Sequence, residues 1–173
     1  MSDEKSLKYN EPWILQRADP YVYRHTDGSY YFTASVPAYD GIVLRRAGSL
    51  AELSGAEEVM IWKKHESGPM SYHIWAPEIH YLFGKWYIYF AGGEKEDIWK
   101  IRPYVLECSG DDPLTDEWVE LGKMKRAAED EFSFEAFSLD ATVFENKGEY
   151  YYVLSLIHIY RAHETGAYLV CRL

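Results

Sequence analysis

Ala18-Asp19-Pro20-Tyr21-Val22 leading to Gly28-Ser29-Tyr30-Tyr31-Phe32, Ala76-Pro77-Glu78-Ile79-His80 leading to Gly84-Lys85-Trp86-Tyr87-Ile88-Tyr89, and Leu139-Asp140-Ala141-Thr142-Val143 leading to Gly148-Glu149-Tyr150-Tyr151-Tyr152 repeat one design. Each sets an acid beside a small residue or proline, runs through apolar positions to a glycine turn, and resumes as an aromatic strand. Asp27-Gly28 between tyrosine-rich runs is a hairpin signal, and the flanks of Gly84 alternate at period two. The acids stand 59 and then 62 residues apart. That period predicts an all-β protein of the β-propeller type, whose small antiparallel sheets bring equivalent positions together on one axis.

At about 60 residues per repeat, 173 residues hold about three blades, whereas closed propellers have about four to eight. The reading is therefore a propeller truncated after about three blades. Residues 1–12 are a polar lead-in, and 13–153 a partial propeller with blades at about 13–70, 71–126 and an incomplete 127–153. A short helical turn is expected between Ser49 and Glu58, and an exposed acidic loop over Ala127–Glu135. Residues 154–173 lack a glycine turn followed by paired aromatics. They are read as an atypical tail, a foreign or frame-shifted origin being one account of it.

A net charge of −10 opposes binding to nucleic-acid phosphates or anionic membrane surfaces. No run of about 18 apolar residues could cross a bilayer. Met1–Lys8 lacks the apolar core of a secretory signal, and Cys108 and Cys171 are too few for a disulfide framework, so a cytoplasmic protein is expected. The 16 Tyr and 6 Trp suit half-buried strands and flat surfaces that stack on sugar rings.

Three carboxylates around one cavity suit glycoside hydrolysis. Inversion needs a base that deprotonates water and an acid that protonates the departing oxygen, about 6.5–9.5 Å apart, and a third carboxylate can raise the pKa of the acid by like-charge repulsion. Asp19, Glu78 and Asp140 are the candidates. His73, Glu78 and His80 are metal-ligating types, but no further ligand motif accompanies them, so no metal site and no cofactor are expected.

Arg17-Ala18-Asp19-Pro20-Tyr21-Val22, Trp75-Ala76-Pro77-Glu78-Ile79 and Ser138-Leu139-Asp140-Ala141-Thr142 together resemble the first three blade motifs of glycoside hydrolase family 43, the five-bladed propeller arabinofuranosidases and xylosidases. Ser71-Tyr72-His73-Ile74-Trp75 and Trp99-Lys100-Ile101-Arg102-Pro103-Tyr104 are most similar to its arabinofuranosidase members. The resemblance covers about residues 10–153. It implies that Asp19 is the general base, that Asp140 tunes and orients the proton donor, and that Trp75 and Glu78 line the substrate pocket, Trp75 as a sugar platform. It also implies a general acid in the fourth blade, a Glu preceding Gly-Pro; this chain has no Glu-Gly-Pro, and Glu66, followed by Ser67 before Gly68-Pro69, is no substitute. Some members hold calcium near the axis, but nothing here selects its ligands.

The function so implied is hydrolysis of terminal α-L-arabinofuranosyl residues from oligosaccharides by an inverting mechanism, the chain being an N-terminal fragment inactive alone. The alternatives are a β-xylosidase of the same family acting on xylose-containing oligosaccharides, and a noncatalytic sugar-binding propeller fragment. The oligomeric state is not legible in the sequence.

Overall fold

The computed structural model describes residues 12–126, 134–156 and 168–172. Strands β1 (Ala18–Arg24), β2 (Tyr30–Ser35), β3 (Gly41–Ala47) and β4 (Val59–Lys63) form one antiparallel sheet in chain order. A second holds β5 (Tyr72–Leu82), β6 (Lys85–Glu94), β7 (Asp97–Cys108) and β8 (Val119–Lys123), again in order. In the third, β10 (Glu149–Leu156) lies between β9 (Ser138–Asn146) and β11 (Tyr168–Arg172). Each sheet is a meander whose first strand forms an edge, and β5 contacts both β1 and β9. The first strands thus lie side by side, as around a propeller axis.

The glycine turns act as the sequence implies. Phe83-Gly84 and Lys147-Gly148 have φ of 53° and 79°, and of 55° and 81°, the paired left-handed residues of a two-residue hairpin turn whose twist suits the flanking strands. The first hairpin is longer. His25 N–H donates to Ser29 O at 2.8 Å, and Asp27 Oδ1 accepts from Ser29 N–H at 2.7 Å.

Alternation then divides each sheet between two packing layers. From β2, Tyr31 joins Ile42, Leu44 and Trp62 against Ile74, Ile79, Trp86, Ile88 and Phe90 of the second sheet. Phe32 points the other way, onto Ala34 and Leu53. Leu53 belongs to a 3-10 helix, Ala51–Ser54, the short helical turn expected there. On the far side of the second sheet Leu82, Tyr89 and Val105 meet Phe134, Val143, Tyr152 and Leu154. Trp86, 1% exposed, lies 4.7 Å from the Tyr31 ring and 4.8 Å from that of His25, locking the first two sheets together.

Of the expected acidic loop, residues 127–133 lie outside the described residues, while Phe134 is buried and Glu135 pairs with Lys123 at 3.1 Å. In the 154–173 segment β10 continues to Leu156 and β11 pairs along it, from Tyr151↔Arg172 to Ser155↔Tyr168. Residues 157–167 and 173 lie outside the described residues.

Candidate active site

The first strand of every sheet carries the same irregularity. Ala18 pairs with Ser35 but Tyr21 with Thr33; Trp75 pairs with Ala91 but Glu78 with Tyr89; Leu139 pairs with Ser155 but Thr142 with Val153. Each inner strand thus fits one extra residue, a β-bulge that re-aims the side chain at that point. The second residue of each bulge is left-handed: Asp19 at φ 49°, Ala76 at 45° and Asp140 at 52°. Such a conformation costs a non-glycine residue about 1–2 kcal/mol. Strain of this kind persists where the surrounding structure holds it, and clusters at functional sites. Pro20 and Pro77 follow two of these residues, and a bulge tolerates a residue with no N–H to donate.

Asp19, Pro20, Tyr21, Ala76, Glu78 and Asp140 line one cavity of about 220 Å³. The three candidate acids are therefore brought together, though not as equivalents. The bulges make Ala76, not Glu78, the counterpart of Asp19 and Asp140. Glu78 lies two residues further along, on the same side of the strand, and reaches the cavity from there. The proline shared by Asp19-Pro20 and Ala76-Pro77 is the sequence signal that could have revealed this offset. Trp75 does not line this cavity; its ring lies 4.3 Å from that of His73 and 5.8 Å from that of Tyr39.

Two side chains hold the acids in place: Ser35, which the sequence reading did not single out, and His80, which it weighed only as a metal-ligating type. Ser35, buried at the end of β2, donates from Oγ to Asp19 Oδ2 at 2.9 Å and accepts from the Ala76 N–H at 2.8 Å. One hydroxyl thereby ties the bulges of the first two sheets together. His80, also buried, has Nε2 3.2 Å from Glu78 Oε2 and Nδ1 3.5 Å from the Tyr21 hydroxyl. A carboxylate only accepts, so Nε2 carries the proton, and in the neutral ring Nδ1 accepts from Tyr21. Burial, and next the Glu78 charge, push the Tyr21 hydroxyl well up, which keeps it a donor.

Electrostatics single out Asp140. Its carboxyl is raised above the ordinary range by burial first, then by Asp19 and Glu78. This is the like-charge arrangement that separates the roles of neighbouring carboxylates. Size alone would have chosen other hollows, of about 520 Å³ beside Arg17 and Tyr39, about 510 Å³ beside Trp13 and Arg45, and about 390 Å³ beside Glu94 and Glu135. In the last the carboxylates are engaged by Lys100 and Lys123, so no two face each other across free space. Among the described residues no group of three or more His, Cys, Asp or Glu is placed to hold a metal ion.

Known proteins agree with this architecture. The chain is 49% identical over 159 residues to an extracellular exo-α-(1→5)-L-arabinofuranosidase of Streptomyces chartreusis, covering 92% of this chain and 45% of that protein. It is 52% identical over 143 residues to a protein of the same description from Streptomyces avermitilis, covering 83% of this chain and 28% of the relative. The crystal structure of α-L-arabinofuranosidase from Lactobacillus brevis superposes with a TM-score of 0.80 at 44% identity, over 94% of this chain and 51% of that one. The chain thus spans about half the length, or less, of the proteins it matches.

These relatives correct one expectation. The cytoplasmic placement rested on the polar Met1–Lys8 and the sparse cysteines, but both Streptomyces proteins are named extracellular. A chain spanning less than half of such relatives carries no information on their leaders, so the polar start has no bearing on compartment. The three-sheet meander, its bulge-borne carboxylates and a match to the profile of glycosyl hydrolases family 43 across residues 9–173 lead to one conclusion: this chain belongs to that family.

Proposed function

We propose that this chain carries the water-activating half of an exo-acting, inverting α-L-arabinofuranosidase. The observation that carries the reading is the meeting of Asp19, Glu78 and Asp140, from three separate sheets, in one small cavity. Asp19, fixed by Ser35, takes the proton of the attacking water. Asp140 sits beside the proton donor and orients it, and its negative charge, once formed against the burial and the two like charges that oppose it, keeps that donor protonated. Glu78, steadied by His80, accepts from a sugar hydroxyl. The donor itself belongs to a Glu-Gly-Pro segment that this chain does not contain. The arabinofuranosidase names of the relatives support an arabinose-containing oligosaccharide as substrate.

The test compares p-nitrophenyl α-L-arabinofuranoside with the β-D-xyloside on a longer protein that contains this chain. Faster turnover of the arabinoside is expected, and faster turnover of the xyloside would overturn the substrate assignment. For the 173 residues alone, the missing donor favours sugar binding without turnover, which calorimetry with arabino-oligosaccharides checks.

A further inference from the structure

Arg17 opens the motif that delivers Asp19, yet it does not line the carboxylate cavity. It stands just ahead of β1, between Gln16 and Asp19, which are both left-handed at φ 53° and 49°. Only one ladder pair, Ala18↔Ser35, precedes the bulge in this strand. Strained backbone persists where its surroundings over-determine it. Ser35 holds the Asp19 carboxylate, but the chain that enters the bulge needs a hold of its own.

The Arg17 side chain supplies it. Nη1 donates to Gln16 O at 2.9 Å, folding the guanidinium back over its own turn. Nε donates to Glu58 Oε2 at 3.2 Å and Nη2 to Glu58 Oε1, a two-point grip on a residue 41 positions away. Glu58 takes a second cation, Arg45, whose Nε donates to Oε2 at 3.1 Å. Arg45 Nη1 in turn donates to Leu53 O at 3.3 Å and Ser54 O at 3.0 Å, at the end of the 3-10 helix. Burial would raise the Glu58 carboxyl, but hydrogen bonds from Arg17 and Arg45 outweigh it and hold the pKa below the ordinary value, so the clamp is charged at neutral pH. Glu58 adjoins β4, the outer edge of the sheet, and Arg45 lies on β3 opposite Phe32 of β2. The clamp thus crosses the sheet, three strand spacings of about 4.8 Å each, and ties the inner strand to the outer edge. It does so on the Phe32 face, whereas Ser35 works from the face turned to the second sheet. Isolated surface pairs contribute little, but one carboxylate between two largely buried guanidinium forks fixes geometry in a way that lysine does not reproduce.

We propose that Arg17, locked by Glu58 and Arg45, is a positioning residue for the reaction: it fixes the chain two residues ahead of Asp19 and so sets the aim of the base at the attacking water. This rests on the reading that Asp19 is the general base. Two peptide units span at most about 7 Å, so a displacement at Arg17 is passed on to Asp19. A misplacement of about 1 Å is enough to cost about 10²-fold in rate.

Steady-state kinetics on a longer, active protein containing this chain test it, with p-nitrophenyl α-L-arabinofuranoside as substrate and urea unfolding alongside. Glu58→Gln keeps the volume and removes the charge, whereas Arg17→Lys keeps the charge and removes the fork. Each is expected to lower kcat about tenfold and to move KM by less than about twofold. In an Asp19→Asn background the same changes should lower kcat no further, because a residue that acts through Asp19 then has no base left to aim. Arg17→Lys decides the case if Glu58→Gln loses its cooperative urea transition. A kcat within about twofold of the wild type, whatever the urea midpoint, would show that the clamp serves stability alone and would overturn the proposal. So would a raised KM at unchanged kcat, or an equal loss with and without the Asp19 carboxylate. Undiminished turnover in Asp19→Asn alone would instead remove the base assignment on which the proposal stands.

Discussion

The starts of β1 and β5 have the same backbone and different chemistry. Both bulge, both turn left-handed at the second residue, and both follow it with proline. In β1 that residue is Asp19, exposed to the cavity; in β5 it is Ala76, 9% exposed, and the acid comes two residues later. The repeated bulge supplies places, and the side chain supplies roles. An acid at all three equivalent points would crowd three like charges together. Setting Glu78 about 7 Å further along its strand relaxes the repulsion yet leaves enough to raise Asp140.

Four experiments would break or sharpen this contrast. The largest effect is expected for Asp19→Asn in a longer, active protein containing this chain: kcat should fall by about 10²–10⁴, as for loss of a general base. Undiminished turnover would sink the base assignment. Next is Ser35→Ala, which strands the buried Ala76 N–H and frees Asp19. Urea unfolding should register a loss of about 1–3 kcal/mol, and a change within about 0.5 kcal/mol would show that the link between bulges is incidental.

Ala76→Gly should act in the opposite direction and stabilise by about 1 kcal/mol, because glycine adopts the left-handed conformation without strain. Destabilisation in the same urea assay would mean that the Ala76 methyl packs better than its backbone suffers. The smallest effect belongs to Glu78→Gln. Because the Asp140 pKa is raised in the folded state, its protonated form favours folding, and that contribution is present at low pH. It is lost as pH rises from the ordinary aspartate value through the raised one. Removing the Glu78 charge should lower the Asp140 pKa and flatten the slope, as followed by carboxyl-carbon NMR titration. An unmoved Asp140 titration would remove Glu78 from the electrostatic account.

Asp19 and Asp140 were legible because each lies beside a small residue or proline at the head of a period-two aromatic run. The position of Glu78 in the cavity was legible only by coincidence. Its spacing suggested equivalence, whereas pairing with β6 reveals a two-residue offset that an added bulge residue conceals. Ser35 carried no signal, since a serine ending a strand is an ordinary residue, and His80 stood out only as a metal-ligating type, not as the partner of Glu78. Their importance comes from partners 41 and 59 residues away. The compartment was misread from Met1–Lys8 and the sparse cysteines, and Met1–Lys8 says nothing about relatives more than twice as long.

The sequence by itself determined the strands up to β10, the turns and the family, because alternation, left-handed glycines and blade motifs are local and act through backbone sterics and burial. Only the tertiary structure decided which residues are equivalent, which carboxylates face one another and which one is pushed toward protonation. Those properties depend on register and on distances between sheets, and neither is encoded in any single segment.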